Sequence, residues 1–130
     1  MILVVDDDDD VRATIRAALE TLAYCAEEAE DGPSALAAIR QRTPKLVILD
    51  YILPTMTGAE VAAELGRTNP DLPIIFASGY AEEPQMRELL GTDAPILHKP
   101  FQIGELAELV EAALSSARAS AARSDRGAGG

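Results

Sequence analysis

Four groups of polar residues in this chain each stand directly after a short apolar run. Asp6-Asp7-Asp8-Asp9-Asp10 follows Ile2-Leu3-Val4-Val5, and Asp50 follows Leu46-Val47-Ile48-Leu49. Ser78-Gly79-Tyr80 follows Ile74-Ile75-Phe76-Ala77, and His98-Lys99-Pro100 follows Ile96-Leu97. If the runs end at one edge, carboxylates, a hydroxyl and an ammonium meet there. Three carboxylates near one point repel one another unless a cation neutralises them. Oxygen ligands without histidine or thiolate select a hard ion such as Mg2+. Lys99 and Ser78 would then bind the oxygens of a phosphate. An aspartate can itself be the nucleophile and form an acyl phosphate. Asp50 closes an apolar run, which holds it centrally with little freedom, and is the best nucleophile candidate.

The elements that would hold these groups follow from the pattern. Apolar runs of about four branched residues without alternation read as strands buried on both faces. Tyr24–Ala29 is a weaker strand, interrupted by Glu27 and Glu28, and belongs at a sheet edge. Val11, Ile15, Ala18, Leu19 and Leu22 form one helical stripe. Pro33 opens a helix over Ser34–Arg40, and Thr57 with Glu60 makes a capping box that starts a helix at Gly58. A short helix runs from about Glu83 to Gly91, and Ile103, Leu106, Val110 and Leu114 give a last apolar face. The order βαβαβαβαβα predicts a doubly wound α/β protein, a five-stranded parallel sheet with five helices on its two faces. Ligands in such folds bind at the carboxyl ends of the strands.

Composition narrows the class. Lys plus Arg is 11 against 22 for Asp plus Glu, a net charge of −11 that repels nucleic acid. The tail from Ser115 holds three arginines and one aspartate, leaving residues 1–114 at −13, a body suited to cations or basic protein partners. One cysteine, Cys25, and one histidine, His98, exclude an internal disulfide and multi-histidine or thiolate metal sites. No apolar run spans a bilayer, and no basic region precedes the first one, so a cytoplasmic location is expected. The expected domain is residues 1–115, with 116–130 a frayed helix end and a disordered tail.

The motifs carry a resemblance. ILVVDD at 2–7, LVILDYILPTMTGAE at 46–60, IIFASGY at 74–80 and LHKPF at 97–101 occur in order and at matching spacings. The chain resembles a response-regulator receiver domain of two-component signalling, over residues 1 to about 115. The resemblance implies a flavodoxin-like fold with strand order 2-1-3-4-5. It implies Asp50 as phosphoacceptor, with a histidine kinase or a histidine phosphotransfer protein as donor. It implies Mg2+ held by Asp7 and Asp50, by the Ile52 backbone carbonyl, and by Asp6 through water. Ser78 would hydrogen-bond the phosphoryl group, Lys99 would pair with it, and the Lys99–Pro100 peptide would be cis. The activity expected is self-phosphorylation and self-dephosphorylation only, with signalling by conformational change and with a phosphorylation-dependent dimer or protein partner as one form of output.

Two positions depart from the common pattern. Ile96 stands where most receivers have an aromatic switch, and the hydroxyl residue is Ser78 rather than Thr. Phe76-Ala77-Ser78-Gly79-Tyr80 is similar to a receiver subclass with a Phe-Ala-Thr-Gly-Tyr-like motif that lacks that switch. Tyr80 is either a signalling residue there or a side chain on the rim. Plainer readings apply elsewhere: Asp8–Asp10 as a solvated helix start, His98 as an exposed bystander, Cys25 as inert. A haloacid-dehalogenase-like phosphatase is disfavoured because no acidic pair follows Lys99. A module that never accepts phosphate is disfavoured because every site residue is present. A receiver cut from a hybrid histidine kinase and a phosphate sink are the nearer alternatives. Met1 directly before the first run favours a stand-alone protein.

Overall fold

The computed structural model describes the backbone of residues 1–79, 83–90 and 95–129, and the side chains of 1–79, 83–89 and 95–117. Ten elements alternate along it. They are β1 (Ile2–Val5), α1 (Asp9–Thr21), β2 (Ala26–Ala29), α2 (Gly32–Gln41), β3 (Leu46–Asp50), α3 (Gly58–Thr68), β4 (Ile74–Ser78), α4 (Glu83–Leu90), β5 (Ile96–His98) and α5 (Ile103–Gly129). The strands form one parallel sheet in the order β2-β1-β3-β4-β5. This is the doubly wound, flavodoxin-like topology that the motifs implied.

The unbroken apolar runs are explained by the two layers of the core. Alternate residues of each strand leave opposite faces of the sheet. Leu3, Val5, Val47, Leu49, Phe76 and Ile96 pack with Ala35, Ile39, Val61, Leu65 and Met86 of α2, α3 and α4. Ile2, Val4, Leu46, Ile48, Ile75 and Leu97 pack with Ile15, Leu19, Leu106, Val110 and Leu114 of α1 and α5. Each large side chain so buried contributes about 1.5–3 kcal/mol. β2 is an edge strand whose Glu27 and Glu28 face solvent, a charged edge that resists further strand pairing.

Helix starts follow their local chemistry. Asp8 caps α1, accepting from the Asp10 and Val11 amides, so the aspartate run is in part a helix start. Asp31 caps α2 with Pro33 in its first turn, and Thr57 and Glu60 form both halves of the capping box on α3. One expectation needs correction. Ile103 is 45% exposed rather than part of the buried face, because it opens α5 one turn before the first buried position, Leu106. The helical backbone of α5 runs on through residues 116–129. The Gly91 helix stop and Tyr80 lie outside the described residues. Among the described residues no helix is long and apolar enough to cross a membrane.

Candidate functional site

Strand register brings the four polar groups together. Val5 pairs with Leu49, Asp50 with Ala77, and Ser78 with His98, so Asp6, Asp50, Ser78 and Lys99 leave the sheet side by side. β1 and β3 are neighbours at the point where strand order reverses, the place where such sheets bind ligands. The Tyr51 amide donates to the Ala77 carbonyl at 3.0 Å and the Lys99 amide to the Ser78 carbonyl at 2.8 Å. The ladder therefore continues one step beyond the strands and fixes the residues that bear the site. The Lys99–Pro100 peptide is cis.

Asp6, Asp50 and Ser78 are the buried polar residues of the chain's described part, at 1%, 6% and 2% exposure. Asp7 is exposed, at the mouth of the site. One carboxylate oxygen from each of Asp6, Asp7 and Asp50 lies within 4.8 Å of the others. The Lys99 ammonium sits 2.8 Å from Asp6 Oδ2 and 3.2 Å from Asp50 Oδ2. Asp6 Oδ1 accepts the Asp8 amide at 2.9 Å, so both Asp6 oxygens have partners. Asp50 Oδ1 accepts the Ile52 amide at 3.3 Å. The Ile52 side chain is 54% exposed, over the rim of the same loop.

Burial pushes the Asp50 carboxyl up to about 6; Lys99 opposes this and the Asp6 charge adds to it. Burial pulls Lys99 down, but its bonds and charge pairing with Asp6 and Asp50 outweigh that and hold it above the usual lysine range. A buried carboxyl that resists ionisation beside a fixed ammonium marks a candidate site for a cation or an electrophile. Ser78 Oγ is buried and has no hydrogen-bond partner among the described residues. Such an orphan costs about 1–3 kcal/mol, a penalty that an incoming acceptor oxygen would relieve.

Two glycines let the loops approach. A Cβ on Gly58 would stand 2.6 Å from the Asp50 carbonyl oxygen and 2.8 Å from Tyr51 Cα, so the start of α3 rests on the strand end that bears Asp50. The Gly58 amide donates to the Tyr51 carbonyl at 2.8 Å. Gly32 is similarly tight against Met56 and Val61.

The structure thus gathers Asp6, Asp7, Asp50, Ser78 and Lys99 in one site and leaves Asp8, Asp9 and Asp10 to the first helix. His98 is not the bystander expected. Its Nε2 lies 2.7 Å from Glu83 Oε2, joining β5 to α4, because β5 ends beside the first turn of that helix. Cys25 is exposed and precedes the start of β2, opposite the strand ends that bear the site. Sequence reading missed Arg12, whose guanidinium reaches the Asp6 carbonyl at 2.6 Å. Arg12 stands two residues after the last of five aspartates, where a solvated helix cation would look the same. A hollow of about 640 Å³, lined by Tyr24, Lys45, Asp71 and Leu114 among others, opens at the other end of the sheet and takes no part in this arrangement.

Fold and site together define a doubly wound protein with an acidic, lysine-bearing pocket at the switch point. The family profile of the response regulator receiver domain matches residues 2–111, and the chain belongs to that family. Response regulator MprA of Mycobacterium sp. (strain KMS) is 39% identical over 116 residues, which are 87% of this chain and 50% of that protein. MprA of Mycolicibacterium vanbaalenii is also 39% identical, over 87% of this chain and 49% of its own length. The chain therefore spans about half the length of the curated relatives it matches. The receiver domain of NtrX from Brucella abortus superposes with a TM-score of 0.83 at 33% identity, covering 88% of this chain and 98% of that one.

Proposed function

We propose that this domain is the phosphoacceptor of a two-component phosphorelay, with Asp50 as the acceptor. The observation that carries the reading is the convergence of a buried, ionisation-resistant Asp50, a fixed Lys99 ammonium and an orphaned Ser78 hydroxyl. Asp50 attacks the phosphorus of a phosphohistidine on a histidine kinase or phosphotransfer protein. An O–P bond forms, the P–N bond breaks, and its electron pair returns to the donor's imidazole nitrogen. Lys99 then transfers its ion pair from Asp50 to a phosphoryl oxygen, and Ser78 donates its hydroxyl to another.

The residues fit Mg2+. All ligands are oxygens, and three carboxylates converge within one ion's reach. Bound there, Mg2+ would neutralise the developing charge on the phosphoryl oxygens. Asp7, Asp50 and the Ile52 backbone carbonyl would hold it directly. Asp6 would reach it through water, which agrees with its two oxygens being taken by Asp8 and Lys99.

The domain acts on itself alone, adding and losing its own phosphoryl group, and signals by conformational change. Its place is the cytoplasm, its partners are proteins rather than nucleic acid, and a phosphorylation-dependent dimer is one form of output. Ile96, only 7% exposed and packed in the α2-α3-α4 layer, supports the subclass without an aromatic switch. The test is intact-protein mass spectrometry after incubation with acetyl phosphate and Mg2+. Wild type gains one acid-labile phosphoryl group, and Asp50→Asn gains none. Equal labelling of both removes Asp50 from the reading. Tryptophan quenching cannot report the reaction, because the chain has no Trp.

A further inference from the structure

The β1–α1 turn presents Asp7 from an exposed loop, yet direct coordination needs that carboxylate fixed to within a fraction of an ångström. The turn itself offers one internal tie, the Asp8 amide to Asp6 Oδ1 at 2.9 Å. Asp8 caps α1 and Lys99 holds Asp6 Oδ2 at 2.8 Å, and Arg12 adds the tie from the helix side to the turn's backbone. Its side chain is 12% exposed, although its partner Asp9 is 87% exposed. Nη1 donates to the Asp6 backbone carbonyl at 2.6 Å, Nε donates to Glu28 Oε1 at 3.1 Å, and Nη2 pairs with Asp9. Glu28 belongs to β2, whose Ala29 carbonyl accepts the Asp6 amide at 3.2 Å. Glu28 is steadied in turn by Arg16 Nη1 at 3.1 Å.

The guanidinium fork therefore bolts the turn to both the first helix and the neighbouring strand. The geometry points to Arg12 as a positioning residue for the metal-binding turn, acting through the Asp6 carbonyl so that Asp7 meets the ion preorganised. This rests on the reading of Asp6, Asp7 and Asp50 as a Mg2+ site. A lysine cannot reproduce it, because its donors sit on one nitrogen, whereas Arg12 reaches the Asp6 carbonyl, Glu28 and Asp9 from three separate nitrogens of a rigid plane.

Charge alone predicts the opposite sign, which makes the idea decidable. Removing a nearby positive charge should tighten a divalent cation by Coulomb's law. Positioning predicts weaker binding. The experiment measures Mg2+ affinity by calorimetry, and phosphorylation rate by acetyl phosphate as a function of Mg2+, in wild type, Arg12→Ala, Arg12→Lys and Asp7→Asn. Melting temperature in EDTA checks that each variant folds, and Arg12→Lys serves if Arg12→Ala does not. The expected result is Mg2+ affinity weakened about tenfold in both Arg12 variants. The rate at saturating Mg2+ should stay within about twofold of wild type, since Arg12 touches no reacting atom. Tighter Mg2+ in Arg12→Ala, or unchanged affinity in Arg12→Lys, overturns the positioning role. If Asp7→Asn weakens Mg2+ while the Arg12 variants do not, the metal site stands and the inference fails alone. If Asp7→Asn has no effect, or wild type binds no Mg2+, both fall together.

Discussion

A carboxyl held near 6 inside a protein is a cost carried by the fold. Asp50 rises from 3.8 to about 6 because burial outweighs the help of Lys99. The sign follows from linkage: the folded state prefers neutral Asp50. Its stability is fully present below the unfolded value of 3.8 and declines as pH rises through about 6. In EDTA, Asp50→Asn should therefore be more stable than wild type at pH 7.5, by on the order of 1–3 kcal/mol, with the gap closing near pH 4. Urea denaturation at both pH values checks this, and an Asn variant no more stable than wild type at pH 7.5 would mean that Lys99 fully offsets burial. Mg2+ should reverse the ranking in part, because it binds the folded carboxylates of wild type and raises its melting temperature more than that of Asp50→Asn. The residues behind these outcomes were legible as strand-end polar groups, since position after an apolar run fixes where a side chain emerges. Arg12 was not, because a helix-face cation looks the same in sequence whether it dangles in water or bonds a backbone carbonyl.

Helices and loops here owe their ends to single residues. α1 stops in a Schellman arrangement: the Tyr24 amide donates to the Leu19 carbonyl at 2.9 Å and the Ala23 amide to the Glu20 carbonyl at 3.0 Å. Ala23 pays for this with φ 69°, a left-handed conformation that a Cβ disfavours. Ala23→Gly should raise stability by about 1 kcal/mol and leave phosphorylation unchanged; a melting temperature at or below wild type would show that the strain is absorbed elsewhere. Gly58 is the reverse case. A Cβ there meets backbone atoms of Asp50 and Tyr51, which no side-chain rotation can relieve. Gly58→Ala should cost about 1–3 kcal/mol and slow phosphorylation by displacing Asp50, read by thermal melts and by mass-spectrometric time courses. The capping box at Thr57 and Glu60 was readable because both partners lie within one turn of sequence. The left-handed Ala23 was not, since alanine carries no turn signal and only the spatial return of Tyr24 to Leu19 requires it.

Across the whole molecule, the site and the α4–β5 region are joined by short links. Ser78 ends β4 and pairs in register with His98 of β5. Lys99 follows directly, its amide bonded to the Ser78 carbonyl at 2.8 Å while its ammonium reaches Asp6 and Asp50. His98 meets Glu83 on α4 at 2.7 Å, and Glu83 also faces Arg87 at 3.6 Å. The parallel sheet and its two layers were predictable from the alternation of apolar runs and stripes, and the strand order from the receiver resemblance, but this linkage was not, because Glu83 and His98 lie far apart in sequence and only the sheet brings them together. If Ser78 and Lys99 close on a phosphoryl group, the β4–β5 pair must adjust as a unit, and α4 is the helix tied to it. Phosphorylation then shifts a population between two packings of that edge, as a ligand favouring one state does. With beryllofluoride and Mg2+, NMR amide shifts should spread through Glu83–Leu90 and Ile96–Leu106. They should contract to the surroundings of Asp50 in Ser78→Ala, which keeps the acceptor and the lysine but removes the hydroxyl that draws β4 inward. Shifts in wild type confined to the loops around Asp50 would mean that the edge does not respond, and the domain would then act as a phosphate sink instead of a switch.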